Sequence, residues 1–252
     1  MLPVKPKKSL GQHFLNDQNI ARKIAGSLQF VSDNELVVEI GPGSGFMTQF
    51  LVDMPYRLLL IETDRESVEY LNQRFPQLSD SIIHRDVLKV HFSEYSEKPI
   101  SVIGNMPYNI SGPLLFMALD QRMMLNEWIG MLQKEVADRI VAKPSTKAYG
   151  ILSVLLQAYF DVDLLFNVPP SVFIPPPKVN SAVIRLIPKK SDIPQCDYSQ
   201  LKMLVKTAFN QRRKTMRNSL KNFFSADILT NPVFNKRPEE LTWREFEELL
   251  QL

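Results

Sequence analysis

Cysteine is almost missing from this chain. Cys196 is the only one in 252 residues, which excludes an intramolecular disulfide and any metal site built from several thiolates. Histidine is scarce as well: His13, His84 and His91 show no ligand spacing, so no metal is expected. No apolar run approaches bilayer-spanning length, and the N-terminus carries no apolar signal region. A cytoplasmic protein without membrane attachment is therefore expected. Acid is missing from one stretch: residues 201–225 hold seven Lys and Arg and no Asp or Glu, and residues 1–25 hold five against one. Removing +4 and +7 from the formal net charge of +3 leaves −8 on the remainder. Two basic patches on an acidic body point to a polyanionic partner. With 44% hydrophobic residues a core is available, and the length suits one sizeable domain with a small appendage.

What is present alternates. The basic residues 1–16, with prolines at 3 and 6, read as a mobile arm. A helix is expected from an Asp17 N-cap through Ile20, Ile24 and Leu28. Leu36–Ile40 reads as a buried strand that enters Gly41-Pro42-Gly43-Ser44-Gly45, with a helix from about Phe46. Arg57–Glu62 is a second strand, followed by a helix over 65–74; Ser81–His84 is a third and Ile100–Gly104 a fourth. Apolar segments over 128–132, 152–159 and 182–187 continue the series. The alternation predicts an α/β fold, a parallel sheet with helices on both faces. Residues 188–194 break the pattern. Beyond them helices are expected over 198–209, 211–224 and from Thr242, where Glu245 completes a capping box. The domains are drawn at 1–188 and 196–252, joined by a linker over 189–195.

The glycine turn lies between a strand and the next element, where backbone can approach a ligand closely. Its third glycine comes one residue earlier than in dinucleotide-binding turns, which disfavours a nicotinamide dehydrogenase. Glu62, at the tip of the second strand, is placed to accept both ribose hydroxyls; Asp86, after the third, can accept from an adenine amino group. An adenosine-bearing ligand without phosphate fits such an acid-lined site, and S-adenosylmethionine is one.

Asn105-Met106-Pro107-Tyr108 closes the fourth strand with the pattern Asn-x-Pro-Tyr. An exocyclic amine on a nucleobase is a poor nucleophile, because its lone pair is delocalised into the ring. An Asn side-chain oxygen and a turn carbonyl can hold its two hydrogens and expose that lone pair. Pro107 removes a competing N–H, and Tyr108 offers a flat face for a base. Phe173 is flanked by Pro169-Pro170 and Pro175-Pro176-Pro177, and reads either as a ring presented on stiff backbone or as a core plug beneath a proline loop. Over 211–224, Arg213, Arg217 and Lys221 recur every four residues with Arg212 and Lys214 beside them, while Met216, Leu220 and Phe223 fall on another stripe. One face would dock and the other meet phosphates. Lys5, Lys7 and Lys8 would add a basic tail near the active site.

Together these residues resemble the KsgA family, the bacterial adenine dimethyltransferases of small-subunit ribosomal RNA. The resemblance runs from Lys7 to the last helix. It rests on Lys8-Ser9-Leu10-Gly11-Gln12-His13-Phe14-Leu15, on Val38–Gly45 and Asn105–Tyr108, on Met131–Ala137 and Lys147-Ala148-Tyr149-Gly150, and on Val172–Ala182 and Phe209–Thr215. It implies a Rossmann-like class I S-adenosylmethionine-dependent methyltransferase fold with a small all-helical C-terminal domain. It also implies transfer of two methyl groups to N6 of each of two adjacent adenines near the 3′ end of 16S RNA in the small (30S) subunit, by a protein expected to be a monomer. Cofactor contacts would fall on His13, Leu15, Gly41, Glu62, Asp86 and Asn105. The catalytic set would be Asn105, Met106, Pro107, Tyr108 and, on the far side of the base, Phe173. RNA contacts would fall on Lys7, Lys8, Arg212, Arg213, Lys214, Arg217 and Lys221. The chain departs from the family's pattern at His13, often Asn, at Ser44 and Met106, often Leu, and at Arg85, commonly Gly. Two other readings stand beside this one: the related large-subunit methyltransferases of macrolide resistance, and a mainly non-catalytic assembly or transcription factor. Phe209–Thr215 and Lys147–Gly150 favour the small-subunit family, and the intact tetrad favours an enzyme.

Overall fold

The computed structural model describes residues 4–7, 10–31, 35–211 and 214–252. Lys8, Arg212 and Arg213 lie outside the described residues. The strands are β1 (Phe14–Leu15), β2 (Leu36–Ile40), β3 (Arg57–Glu62), β4 (Ile82–His84), β5 (Ile100–Asn105), β6 (Leu125–Gln133), β7 (Phe160–Val168), β8 (Phe173–Ile174) and β9 (Ser181–Pro188). The α-helices are α1 (Gln18–Ala25), α2 (Arg65–Arg74), α3 (Ser111–Asp120), α4 (Lys134–Ile140), α5 (Ile151–Tyr159), α6 (Tyr198–Phe209), α7 (Met216–Ser219) and α8 (Trp243–Leu249). Among the described residues no helix is long and apolar enough to cross a membrane.

Seven of these strands form one sheet in the order β4-β3-β2-β5-β6-β9-β7, while β1 and β8 pair as a separate antiparallel ribbon. β4, β3, β2, β5 and β6 run parallel, and β9 returns antiparallel to β6. The expectation of a parallel sheet is thus corrected at this edge. An apolar run such as 182–187 reveals burial but not direction, and β7 was not expected even though Phe160-Asp161-Val162-Asp163 carries the alternation of a half-exposed strand. Ile40 of β2 lies in register with Ile61 on one side and Gly104 on the other. Gly41, Glu62 and Asn105 therefore start at one level, on either side of the point where the strand order switches, which is the ligand-binding end of such a sheet.

Val37, Leu58, Leu60, Ile103, Ile129, Met131 and Val183 pack against Ala21 and Ile24 of α1 and Leu71 of α2. Their strand neighbours Val38, Leu59, Val102 and Trp128 are buried too. Burial on both faces is why these strands read as continuous apolar runs. Asp17 caps α1, accepting from the N–H of Asn19 (2.9 Å) and Ile20 (3.0 Å). The helix stops at Gly26, short of Leu28.

No α-helix follows the glycine turn: residues 43–47 are turn and Thr48–Phe50 is a single 3-10 turn. Gly45 has φ +70°, in the left-handed region, and a Cβ there would meet Phe75 Cε2 at 2.5 Å. A helix cannot begin through that residue. The arm is also not loose over its described part. Val4 is buried, the Lys7 N–H donates to Gln12 Oε1 (2.8 Å), and Phe14 and Leu15 pair with β8.

The chain divides into two compact units, 1–137 with 163–188 and 138–162 with 189–252. Residues 138–162, assigned from sequence to the first domain, group with the second. Within that second unit α6 begins and ends as expected, and Thr242 and Glu245 form the capping box at α8, the Thr242 N–H donating to Glu245 Oε2 (2.8 Å). Of the helix expected over 211–224, the described residues hold only α7, four residues long. Asn218, Ser219 and Asn222 are weak helix formers, and Asn218 and Ser219 turn their side chains to Thr215 Oγ1 (3.2 Å) and the Met216 carbonyl (3.4 Å).

Candidate active site

Glu62 organises the end of the sheet. The residue is 4% exposed, and its carboxylate accepts three backbone N–H bonds of 2.9 Å, from Gly43 on one oxygen and from Thr63 and Asp64 on the other. Burial raises its pKa; the three amides pull the other way. The bond to Gly43 ties the glycine turn to β3, and the Gly41 N–H adds a second tie to the Ile61 carbonyl (3.0 Å). Gly43 has φ +54°, and a Cβ there would lie 2.6 Å from Phe14 Cε1. Only glycine lets the arm close on the turn. Behind it Glu39 is fully buried: Thr48 Oγ1 donates to Oε2 (2.7 Å), while Oε1 has no partner among the described residues. Desolvation pushes this carboxyl up to about 8, with Glu62 adding to the rise.

An open cleft lies here, walled by residues 10–14, Gly41, Gly43, Glu62, Thr63 and the run from Asn105 to Tyr108. The Asn105 Nδ2 donates to the His13 carbonyl (2.8 Å), which leaves Oδ1 without a hydrogen bond from the described residues. The Met106 N–H continues the ladder to the Met131 carbonyl (3.1 Å). The Pro107 carbonyl is taken by the Ile110 N–H (3.2 Å) and Ser111 Oγ (3.3 Å), whereas the Met106 carbonyl receives no bond from the described residues. Two acceptors, Asn105 Oδ1 and the Met106 carbonyl, are therefore uncommitted at adjacent positions. Tyr108 is half-buried, its hydroxyl bonded to Ser181 Oγ (2.5 Å) and its ring 5.3 Å from that of His13 at 30°. The His13 Nδ1 donates to the Pro175 carbonyl (2.8 Å).

The structure thus brings together His13, Gly41, Glu62, Asn105, Met106, Pro107 and Tyr108 of the expected set. Others fall elsewhere. Phe173 is 2% exposed and packs in the core with Leu15, its β1 partner, so the reading of Phe173 as a ring presented to a base is corrected to a core plug. Strand alternation turns Phe173 inward and leaves its neighbour Ile174 exposed. Leu15 is likewise core rather than cleft wall. Asp86 does not wall the cleft; one of its oxygens caps the Leu88 N–H (3.1 Å), and the preceding Arg85 pairs with Glu94 (2.6 Å). Lys7 is no free cation for RNA, since its ammonium sits between Asp64 (2.5 Å) and Glu66 (3.2 Å), which raises its pKa. In the helical unit Lys214, Arg217 and Lys221 are exposed, and the last two line a hollow with Asn218 and Thr230. Sequence reasoning gave no role to Ser181, although it lies in the Val172–Ala182 run, or to the His13 carbonyl, because neither a hydroxyl's distant partner nor a backbone oxygen can be read from local sequence. Among the described residues no cluster of His, Cys, Asp and Glu could hold a metal ion.

Comparison with known proteins gives this geometry relatives. Residues 4–250 match the family described as ribosomal RNA adenine dimethylase. The chain is 50% identical to the ribosomal RNA small subunit methyltransferase A of Parabacteroides distasonis, over 98% of this chain and 93% of that one. It is 47% identical to the enzyme of the same name from Cytophaga hutchinsonii, over 100% and 98%. Among solved structures, a dimethyladenosine transferase from Plasmodium falciparum superposes with a TM-score of 0.78 at 26% identity, covering 95% of this chain and 96% of that one. The 23S rRNA methyltransferase ErmE shares the fold, with a TM-score of 0.67 at 23% identity, covering 95% and 100%. With a Rossmann-like sheet, an Asn-x-Pro-Tyr corner and a family match over nearly its whole length, this chain belongs to the ribosomal RNA adenine dimethylases.

Proposed function

We propose that this protein transfers methyl groups from S-adenosylmethionine to N6 of two adjacent adenines near the 3′ end of 16S RNA, two to each base, within the small ribosomal subunit. The observation that carries this reading is the Asn105 amide, held by its nitrogen on the His13 carbonyl, with neither its oxygen nor the carbonyl of the next residue, Met106, taking a hydrogen bond from the described residues. Two acceptors are what an adenine amine requires if both its hydrogens are to be held and its lone pair exposed.

The residues at the strand ends suit the methyl donor. Gly41 and Gly43 wall the cleft with bare backbone, and Glu62 keeps acceptor capacity beyond its three amides. Asp86 stands past the end of β4, one strand out from Glu62, its second carboxyl oxygen taking no hydrogen bond from the described residues, a place suited to an adenine amino group. When bound, S-adenosylmethionine supplies an electrophilic methyl on a sulfonium whose departure leaves a neutral thioether. A neutral leaving group calls for neither a metal nor a strong base. What the protein contributes is orientation: Asn105 and Met106 aim the amine, Tyr108 stacks the base, and the N6 proton passes to water. Well-oriented intramolecular reactions gain up to about 7–11 kcal/mol, and base–aromatic stacking adds about 1–3 kcal/mol. Arg217 and Lys221 suit phosphate contacts that position the RNA without reading its sequence.

The test uses labelled S-adenosylmethionine with undermethylated small subunits and, separately, with large-subunit RNA, each digested to nucleosides. Dimethyladenosine in the small-subunit digest is the expected product. Label confined to large-subunit RNA would transfer the assignment to the macrolide-resistance type.

A further inference from the structure

We infer that Ser181 is a positioning residue of the methyl-transfer site, fixing the ring of Tyr108 through its hydroxyl. The inference rests on the reading above, in which Tyr108 stacks the target adenine. Its own basis is the placement of two side chains from distant parts of the chain. Ser181 is fully buried at the first position of β9, and its hydroxyl meets the Tyr108 phenol at 2.5 Å.

A half-buried phenol needs a partner for its hydroxyl, and the partner chosen determines where the ring stands. Tyr108 is held at its other end by the tetrad turn. Pro107 fixes the backbone before it, and Ser111 Oγ donates to the Tyr108 carbonyl (3.2 Å). With Cα and hydroxyl both anchored, the two side-chain torsions of the ring have little freedom left.

Ser181 is itself rigidly placed. It lies in register with Gln133 of β6, and the Lys134 N–H donates to the carbonyl of the preceding Asn180 (2.9 Å). Two residues back along β6, the Met131 carbonyl receives the Met106 N–H (3.1 Å). The antiparallel pair β6–β9 therefore sets both the carbonyl that would hold the amine and the ring that would hold the base. This gives the return strand a catalytic purpose besides closing the sheet edge.

The experiment compares wild type, Ser181→Ala, Tyr108→Phe and the double variant. Steady-state methyl transfer to undermethylated small subunits is measured with S-adenosylhomocysteine affinity, and each protein is labelled with carbon-13 at the tyrosine ζ position for NMR. Each single change should lower kcat/KM for the RNA about threefold to tenfold. The double variant should be no worse than the poorer single, because either change breaks the same bond. Cofactor-product affinity should stay within about twofold. The Tyr108 resonance, identified by its loss in Tyr108→Phe, should move in Ser181→Ala. Multiplying losses in the double variant, or wild-type turnover by Ser181→Ala, would overturn the assignment. If wild type fails on small subunits, the proposed function falls, and the NMR arm still decides: an unmoved Tyr108 resonance refutes the tether.

Discussion

Glu62→Gln isolates one oxygen at the centre of the cofactor site. Glutamine keeps the shape, so packing at this 4% exposed position is preserved. Its single carbonyl oxygen can still receive the N–H groups of Thr63 and Asp64, which share one carboxylate oxygen now. The amide nitrogen must then face the Gly43 N–H, donor against donor, where a 2.9 Å bond now stands. Leaving one buried donor unpaired costs about 1–3 kcal/mol. That loss falls on the tie holding the glycine turn to β3, so it should weaken cofactor binding roughly fivefold to 150-fold. Isothermal titration with S-adenosylhomocysteine reads the affinity, and filter binding to small subunits reads RNA affinity in the same preparation. The expected result is a selective loss of cofactor affinity with RNA binding largely kept. Cofactor binding at wild-type strength, or equal loss of both, would refute the division of labour between the strand ends and the basic surface.

Glu39→Gln tests the buried carboxyl behind the turn. Its folded pKa, about 8, lies above the unfolded value, so the folded state holds a proton that the unfolded chain releases at lower pH. Its contribution is fully present below the ordinary carboxylate range and lost as pH rises towards 8, by up to about 1.4 kcal/mol per pH unit. Glutamine mimics the protonated form, so urea unfolding at pH 5 and pH 8 should show the variant gaining on wild type as pH rises. A constant gap across that window would contradict the assignment. Phe173→Ala should cost about 3–5 kcal/mol in thermal denaturation as a cavity in the core, while Phe173→Leu should keep near wild-type methyl transfer. A stable Phe173→Leu protein that binds cofactor but has lost turnover would restore the base-stacking role.

Much of the site was legible because its chemistry is local. Asn105–Tyr108, Gly41–Gly45 and Glu62 each sit at the end of a short apolar run, and a parallel sheet brings such ends to one level. What misled was geometry with no local signature. Phe173 looked displayed between prolines, but two residues of pairing with β1 decide which way it points. Lys7 read as a basic tail because its partners Asp64 and Glu66 are some sixty residues away. The spacing of Arg217 and Lys221 suggested a helix through both, but local bonds from Asn218 and Ser219 compete with it. The direction of β9 could not be read from its hydrophobicity, so Ser181, though within the Val172–Ala182 run, could not be paired with Tyr108.

The account turns on where an adenine amine would sit. A crystal structure with S-adenosylhomocysteine and an RNA fragment holding the target adenine tests this directly. The N6 nitrogen should lie about 3 Å from both Asn105 Oδ1 and the Met106 carbonyl, with the base against Tyr108. A base seated elsewhere, or an Asn105 whose oxygen is turned onto protein in the complex, would contradict it.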